Sequence, residues 1–227
     1  MKLHHALALL LPLPLLAASG QDQKPAPKEK PAPVGGLAST RSTEKQIIAA
    51  EKPSYPLTTC VVKGEKLGEG AIDRVVAGHL VRLCCMGCLA TVEKDPALYR
   101  KKVEAAVVSE QKPSYPLSTC VVTGEVLAFD SIDHVHGTRL VRLKDMDAVA
   151  AFEKAPAEIL AKLDKALIAA QLKNYGVAVC PVTREPLDKN AVNYLYGTKL
   201  VRLCCKGCIK GFEAAPEKYL VELAKIK

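Results

Sequence analysis

Apolar and polar positions follow the same order three times along the chain. In "VNYLYGTKLVRL", residues 192–203, two short β-type runs flank Gly197-Thr198, a dipeptide suited to a hairpin turn. The second run returns as "HLVRL" at 79–83 and "RLVRL" at 139–143. A helix-like stretch such as "CIKGFEAA" comes next, and then a proline, at Pro96, Pro156 and Pro216, placed to open a second helix. Asp95 stands before the first of these prolines as an N-cap. In the middle stretch Leu160, Leu163 and Leu167 recur at three- and four-residue spacing, the apolar stripe of a helix that faces a core. "TEKQIIAAEK" (43–52) resembles "DKALIAAQLK" (164–173), so a helix is expected before each copy, linking it to its neighbour.

The period is fixed by three further segments: "YPLTTCVVKGE" begins at Tyr55, "YPLSTCVVTGE" at Tyr115 and "YGVAVCPVTRE" at Tyr175, spaced by 60 residues. The pattern predicts an α+β chain of three tandem small units, each with a cysteine loop, a β-hairpin and two helices. The expected boundaries are 43–110 for the first, 111–170 for the second and 171–227 for the third. Ahead of them, residues 21–42 open with "QDQKPAPKEKPAPVGG", too poor in large apolar side chains to fold, which predicts an extended, disordered tether. Residues 1–20 combine a positive start at Lys2, an apolar run over 6–16 and small residues at 17–20, the three parts of a secretory signal. That run is interrupted by Pro12 and Pro14 and is shorter than the roughly 20 residues of a bilayer span, so no membrane insertion is expected once the signal is removed. The expected location is outside the cytoplasm, periplasmic or secreted.

Composition narrows the function. The net charge of +8 comes without tryptophan and with few aromatic residues, which gives no stacking surface for nucleic acid. Nine cysteines are the unusual feature. The first unit carries Cys60, Cys84, Cys85 and Cys88, and the third carries Cys180, Cys204, Cys205 and Cys208, in the same C-x23-C-C-x2-C spacing. Cys84 and Cys88 are four apart and Cys85 and Cys88 three apart, so at the first turn of a helix either pair points to one side. A helix N-terminus also favours thiolates. With the loop cysteine they form an S3 or S4 set suited to Zn(II), Cu(I) or a heavier thiophilic ion. An oxidising compartment keeps two other readings open: a structural disulfide from Cys60 to Cys84 or Cys85, and a redox pair in Cys85/Cys88 and Cys205/Cys208. No thioredoxin-like βαβ pattern accompanies the latter.

The third copy, "CPVTREPL…YGTKLVRLCCKGCIKGFEAAPEKYL", resembles the TRASH and YHS-type heavy-metal-binding modules, in which a loop cysteine, a hairpin and a C-x3-C pair opening a helix build a small treble-clef-like unit. The resemblance spans most of residues 55–227. It implies Cys180, Cys204 and Cys208 as ligands in the third unit and Cys60, Cys84 and Cys88 in the first. Where a YHS-type loop often has a second cysteine, this chain has Lys63 and Thr183, and Cys85 or Cys205 is the candidate for the remaining ligand.

The middle copy reads "LKDMDA" where its neighbours read "LCCMGC" and "LCCKGC". Cys120 is there an unpaired, buried thiol, and His134 and His136 lie on a solvated strand face. Arg82, Arg142 and Arg202 recur whether or not thiols follow, so they are structural. The expectation is an exported, non-enzymatic binder of about two soft metal ions, zinc or copper, for buffering, delivery or sensing; the alternatives are a thiol-disulfide oxidoreductase using the C-x-x-C pairs and an interaction scaffold whose cysteines hold structural zinc or disulfides. Its candidate partners are metal ions and a membrane metal transporter or another exported protein.

Overall fold

The computed structural model describes residues 37–225. The signal-like start, most of the Pro-rich segment and the last two residues lie outside the described residues. Mixed α+β structure is observed, with seven α-helices and three two-stranded antiparallel hairpins among the described residues. No helix among them is long and apolar enough to cross a membrane.

Helix α1 (Leu37–Glu51) precedes the hairpin β1 (Ile72–Val76) and β2 (His79–Leu83), followed by α2 (Gly87–Lys94) and α3 (Pro96–Gln111). The order continues with β3 (Ile132–His136), β4 (Arg139–Leu143), α4 (Met146–Lys154) and α5 (Pro156–Leu172). It ends with β5 (Val192–Tyr196), β6 (Lys199–Leu203), α6 (Gly207–Ala214) and α7 (Pro216–Lys225). One correction concerns the tether: residues 37–42, expected to be disordered, already belong to α1. A second finding is economy of helices. The helix that follows Pro96 and the one expected before the second cysteine loop are a single element, α3, and α5 does the same between the second and third loops. Asp95 caps α3, its carboxylate accepting from the Leu98 N–H at 3.1 Å.

The hairpins share one register, with Ile72, Ile132 and Val192 opposite Leu83, Leu143 and Leu203. Period-2 alternation aims Val81 and Leu83, and their counterparts Val141, Leu143, Val201 and Leu203, into the interior. Against them pack the buried faces of the long helices, Tyr99, Val103 and Val107 on α3 and Ile159, Leu163 and Leu167 on α5, at four-residue spacing. The arginines are structural, as expected. Arg82 Nε donates to Asp73 across the hairpin at 2.9 Å, Arg142 to Asp133 at 2.9 Å and Arg202 to Asn193 at 3.2 Å.

Each long helix is locked to the hairpin after it. Gln111 and Gln171 each accept from a strand N–H, Leu140 or Leu200, and donate to the carbonyl of Thr138 or Thr198, all at 2.9 Å. Glu51 takes the equivalent place, accepting from the Leu80 N–H at 2.7 Å and meeting His79 Nδ1 at 3.3 Å. Tyr55, Tyr115 and Tyr175 each accept through their hydroxyl from the backbone N–H of Arg82, Arg142 or Arg202, at 3.3, 3.0 and 3.0 Å.

The turns of the second and third hairpins converge on the end of α1. The Thr138 hydroxyl donates to the Glu51 carbonyl at 2.6 Å and lies 2.9 Å from Ser54 Oγ, so these three buried polar residues satisfy one another. Gly197, at φ +64°, sits so close to residue 53 that a Cβ would lie 2.6 Å from the Pro53 carbonyl oxygen. Gly78, at φ +83°, has open space around the same position. Both Gly197→Ala and Gly78→Ala place alanine in left-handed backbone, at a cost of about 1–2 kcal/mol. Only Gly197→Ala also forces the third hairpin from residue 53, so equilibrium urea unfolding should show it to be the more destabilising; equal losses would mean that this approach contributes nothing.

Candidate metal centre

The site begins with a tight turn after Tyr55. The Cys60 N–H donates to the Glu65 carbonyl at 2.7 Å, and the Gly64 N–H returns to the Cys60 carbonyl at 2.7 Å. The closing position needs left-handed backbone, which Gly64 and Gly124 adopt readily and Arg184 adopts at φ +66°. The same turn surrounds Cys120 and Cys180, with bonds of 2.7–2.9 Å. It directs successive backbone N–H groups at the cysteine sulfur.

Burial alone would raise the Cys60 thiol, but the N–H groups of Lys63, Cys84 and Val62 outweigh it, with help from the Cys84 thiol, and bring it down to about 7. Burial opposes ionisation at Cys180 too, where the Thr183 hydroxyl and the N–H groups of Thr183, Cys204 and Val182 bring the thiol down to about 6. Cys60 and Cys180 are buried, at 1% and 0% exposure, so these are sheltered thiolates rather than exposed nucleophiles.

The other thiols come from the junction between strand and helix. Sequence spacing placed Cys84, Cys85 and Cys88 together at a helix's first turn, but α2 begins at Gly87, and only Cys88 lies in it. Cys84 and Cys85 belong to the bend after β2, and the bend rather than helical periodicity makes the sulfurs converge. Cys84 Sγ is 3.8 Å from Cys88 Sγ, and Cys204 Sγ is 3.5 Å from Cys208 Sγ. With the loop cysteine they form two sets, Cys60/Cys84/Cys88 and Cys180/Cys204/Cys208, in which all three sulfurs lie within 4.8 Å of one another. These are the two sets among the described residues that could hold a metal ion. An ion with bonds to sulfur of about 2.3 Å spaces its ligands about 3.8–4.0 Å apart, so the sulfurs need shift little to close around it.

Burial, reinforced by neighbouring groups, explains the upward shifts of the other thiols. Burial pushes the Cys84 thiol up, and the Glu65 carboxylate and the neighbouring thiols push it further. Cys88 and Cys208 are raised for similar reasons, burial first. The loop thiol of each set is thus the more readily ionised, while Cys84, Cys88 and Cys208 hold their protons more tightly. Glu65 and Glu185 at the clusters were missed in the sequence, although a glutamate stands five residues after the loop cysteine in all three copies. Thr183 was noted only as a missing cysteine, yet its Oγ1 lies 3.3 Å from Cys204 Sγ.

Cys85 and Cys205 stand apart from the trios. Each lies 3.7 Å from the Cys88 or Cys208 sulfur, outside the set in which every sulfur is close to every other. The N–H groups of residues 87–88 and 207–208 act on these thiols and lower them. All nine cysteines are free.

The middle copy shows the same frame with other chemistry. Cys120 is buried and keeps its cradle of N–H groups from Thr123, Lys144 and Val122. Lys144, in the place of Cys84, pairs with Glu125. Asp145, in the place of Cys85, caps α4 by accepting from the Ala148 N–H at 2.9 Å, and α4 starts one residue earlier than its counterparts. The notion that His134 and His136 line a solvated strand face is corrected in part: both rings rest edge-on against buried Phe152, with centroids 5.1 and 5.3 Å away. The third copy uses Tyr194 and Tyr196 against Phe212 in the same way.

In comparisons with protein-family models, curated proteins and solved structures, nothing matches the chain.

The lowered loop thiols give an optical prediction. In the reduced, metal-free chain, thiolate absorbance near 240 nm should begin to rise between about pH 6 and 7, below the ordinary thiol value of about 8.5. Because these thiols are depressed, their thiolates are present above that range and are lost as pH falls through it. Cys180→Ser should remove the most acidic part of the rise; an unchanged titration from that variant would contradict the cradle.

Proposed function

We propose that the chain is an exported, non-enzymatic binder of soft metal ions, made of three tandem treble-clef-like units of which the first and third each hold one ion. The observation that carries the reading is the pair of three-sulfur sets, Cys60/Cys84/Cys88 and Cys180/Cys204/Cys208, each combining a sheltered thiolate with two thiols that await a cation. Three sulfurs at this spacing suit Zn(II) with one further ligand, or three-coordinate Cu(I). The likeness of the cysteine spacing to TRASH and YHS-type modules points the same way, and so does the signal-like start, which would take the protein where such ions are scavenged, buffered or handed on. A membrane metal transporter or another exported protein is the natural partner class.

The middle unit supports a binding role over a purely structural one. Its cysteines at the bend and helix are replaced by Lys144, Asp145 and Ala148, while its hairpin keeps the same register and its helices the same order. The same register and element order where the trio is missing supports a role for the sulfurs beyond folding.

Native mass spectrometry of protein purified without oxygen and loaded with Zn(II) or Cu(I) tests this directly. Two ions per chain are expected, falling to one when Cys204, Cys205 and Cys208 are changed to Lys, Asp and Ala. That variant should keep its helical circular dichroism when metal-free. No ion taken up, or three equivalent ions, would overturn the reading. Catalysed reduction of insulin disulfides well above that of a free dithiol would favour the redox pair instead.

A further inference from the structure

Two cysteines are left over once the trios are assigned, and they occupy the same place in both sites. Cys85 and Cys205 lie on the solvent side of the set: Cys205 is exposed and Cys85 partly so, whereas Cys88 and Cys208 are buried. Each touches the buried helix cysteine, at 3.7 Å, without joining the mutually close trio. Each also stands where the middle unit has Asp145, whose carboxylate caps a helix. No side-chain oxygen caps α2 or α6, and the N–H groups at those helix starts face the extra sulfur. The sulfur is held by hydrogen bonds at the rim, one sulfur contact away from the buried set.

From this geometry we infer that Cys85 and Cys205 are transfer ligands, which pass a soft metal ion between the buried trio and a thiolate-bearing donor or acceptor outside the protein. The inference rests on the proposed metal binding and assigns a route to it. An incoming ion first bonds the rim sulfur as it leaves one thiolate of the donor, and the rim thiol's proton goes to water. Cys88 or Cys208, whose sulfur lies 3.7 Å from the rim sulfur, then gives its proton to the departing donor thiolate and bonds the ion as the donor's remaining bond breaks, and the proton of Cys84 or Cys204 goes to water when that sulfur bonds in turn. The trio completes the site, and the rim sulfur is released to its helix N–H groups and reprotonated. Release runs the same steps in reverse. No electron changes hands and the ion keeps its oxidation state. At every stage the ion exchanges one sulfur for another and is never stripped of ligands, which is why an extra thiol at the rim accelerates entry and exit alike.

The test uses the full chain with Cys85→Asp and Cys205→Asp, the replacement that the middle unit already carries as a helix cap. Cu(I) is the probe, since carboxylate is a poor ligand for it. Equilibrium competition with a chromophoric Cu(I) chelator should place the variant's affinity within about threefold of the parent's. Stopped-flow transfer of Cu(I), into the free chain from its glutathione complex and out to excess glutathione, should slow in both directions by about tenfold or more. Cys84→Ser with Cys204→Ser is the contrast, and should lose affinity by about a hundredfold, at least what disturbing the shell around a metal costs. An affinity loss as large in the aspartate variant would make the rim cysteines resident ligands. Unchanged affinity with unchanged transfer rates would make them helix caps alone. Either result overturns the inference while leaving metal binding intact. Failure of the parent chain to take up Cu(I) would overturn the underlying reading instead. Circular dichroism on the metal-free variant checks that helix α2 and helix α6 survive.

Discussion

The bond from the Cys60 N–H to the Glu65 carbonyl closes the turn on which the first candidate site depends, and its counterparts at Cys120 and Cys180 do the same in the other units. A tight turn points several N–H groups inward at once, and such a nest favours a negative group at its centre. The side chain placed there is a cysteine, so the turn yields a thiolate under burial that would otherwise keep it protonated. Everything else about the site follows from bringing further sulfurs to that charge. The hairpin does so by ending on a buried leucine, Leu83 or Leu203, so that the chain must bend sharply before the next helix. The bend brings Cys84 and Cys88, or Cys204 and Cys208, to within 4.8 Å of the loop sulfur.

The segment with the second hairpin is an internal control. Its cradle is intact around Cys120, and Lys144, at the Cys84 position, gives that thiol a backbone N–H while its ammonium pairs with Glu125. Asp145 supplies the helix cap that sulfur occupies elsewhere. Phe152, buried among the two histidine rings and the hairpin, fills the core as Phe212 does in the third unit. The hairpin register and the order of elements persist without the trio. Its turn, through Thr138, reaches the end of α1 and ties the first and second hairpins together. A unit without a trio therefore has a packing role of its own in this arrangement.

Much of this was legible from residue order. Repeats of 60 residues, alternating strands and the prolines at helix starts announced three similar α+β segments, because hydrophobic period and turn chemistry are local properties. The cysteines could be grouped, since their spacing repeats. Spacing alone could not divide them, although the resemblance to TRASH and YHS-type modules had already picked out the sets Cys60/Cys84/Cys88 and Cys180/Cys204/Cys208. Cys84, Cys85 and Cys88 look equivalent when helical spacing is applied to all three, but α2 starts only at Gly87, so the bend sets two of the positions. That bend depends on where the strand ends against the core, a tertiary fact. Glu65 and Lys144 were hidden for a related reason: each acts on a residue 19 positions away, Cys84 and Glu125, and no local pattern marks such a pair. The aromatic support of Phe152 by His134 and His136 also escaped notice, because alternation places side chains on a face without saying what lies on it.

X-ray absorption at the zinc edge, on the reduced chain loaded with two equivalents of Zn(II), addresses the central claim most directly. Thiolate trios predict a first shell dominated by about three sulfurs at about 2.3 Å, completed by a lighter atom at about 2.0–2.2 Å. A first shell of oxygen and nitrogen alone would place the ion away from the cysteines and contradict the account.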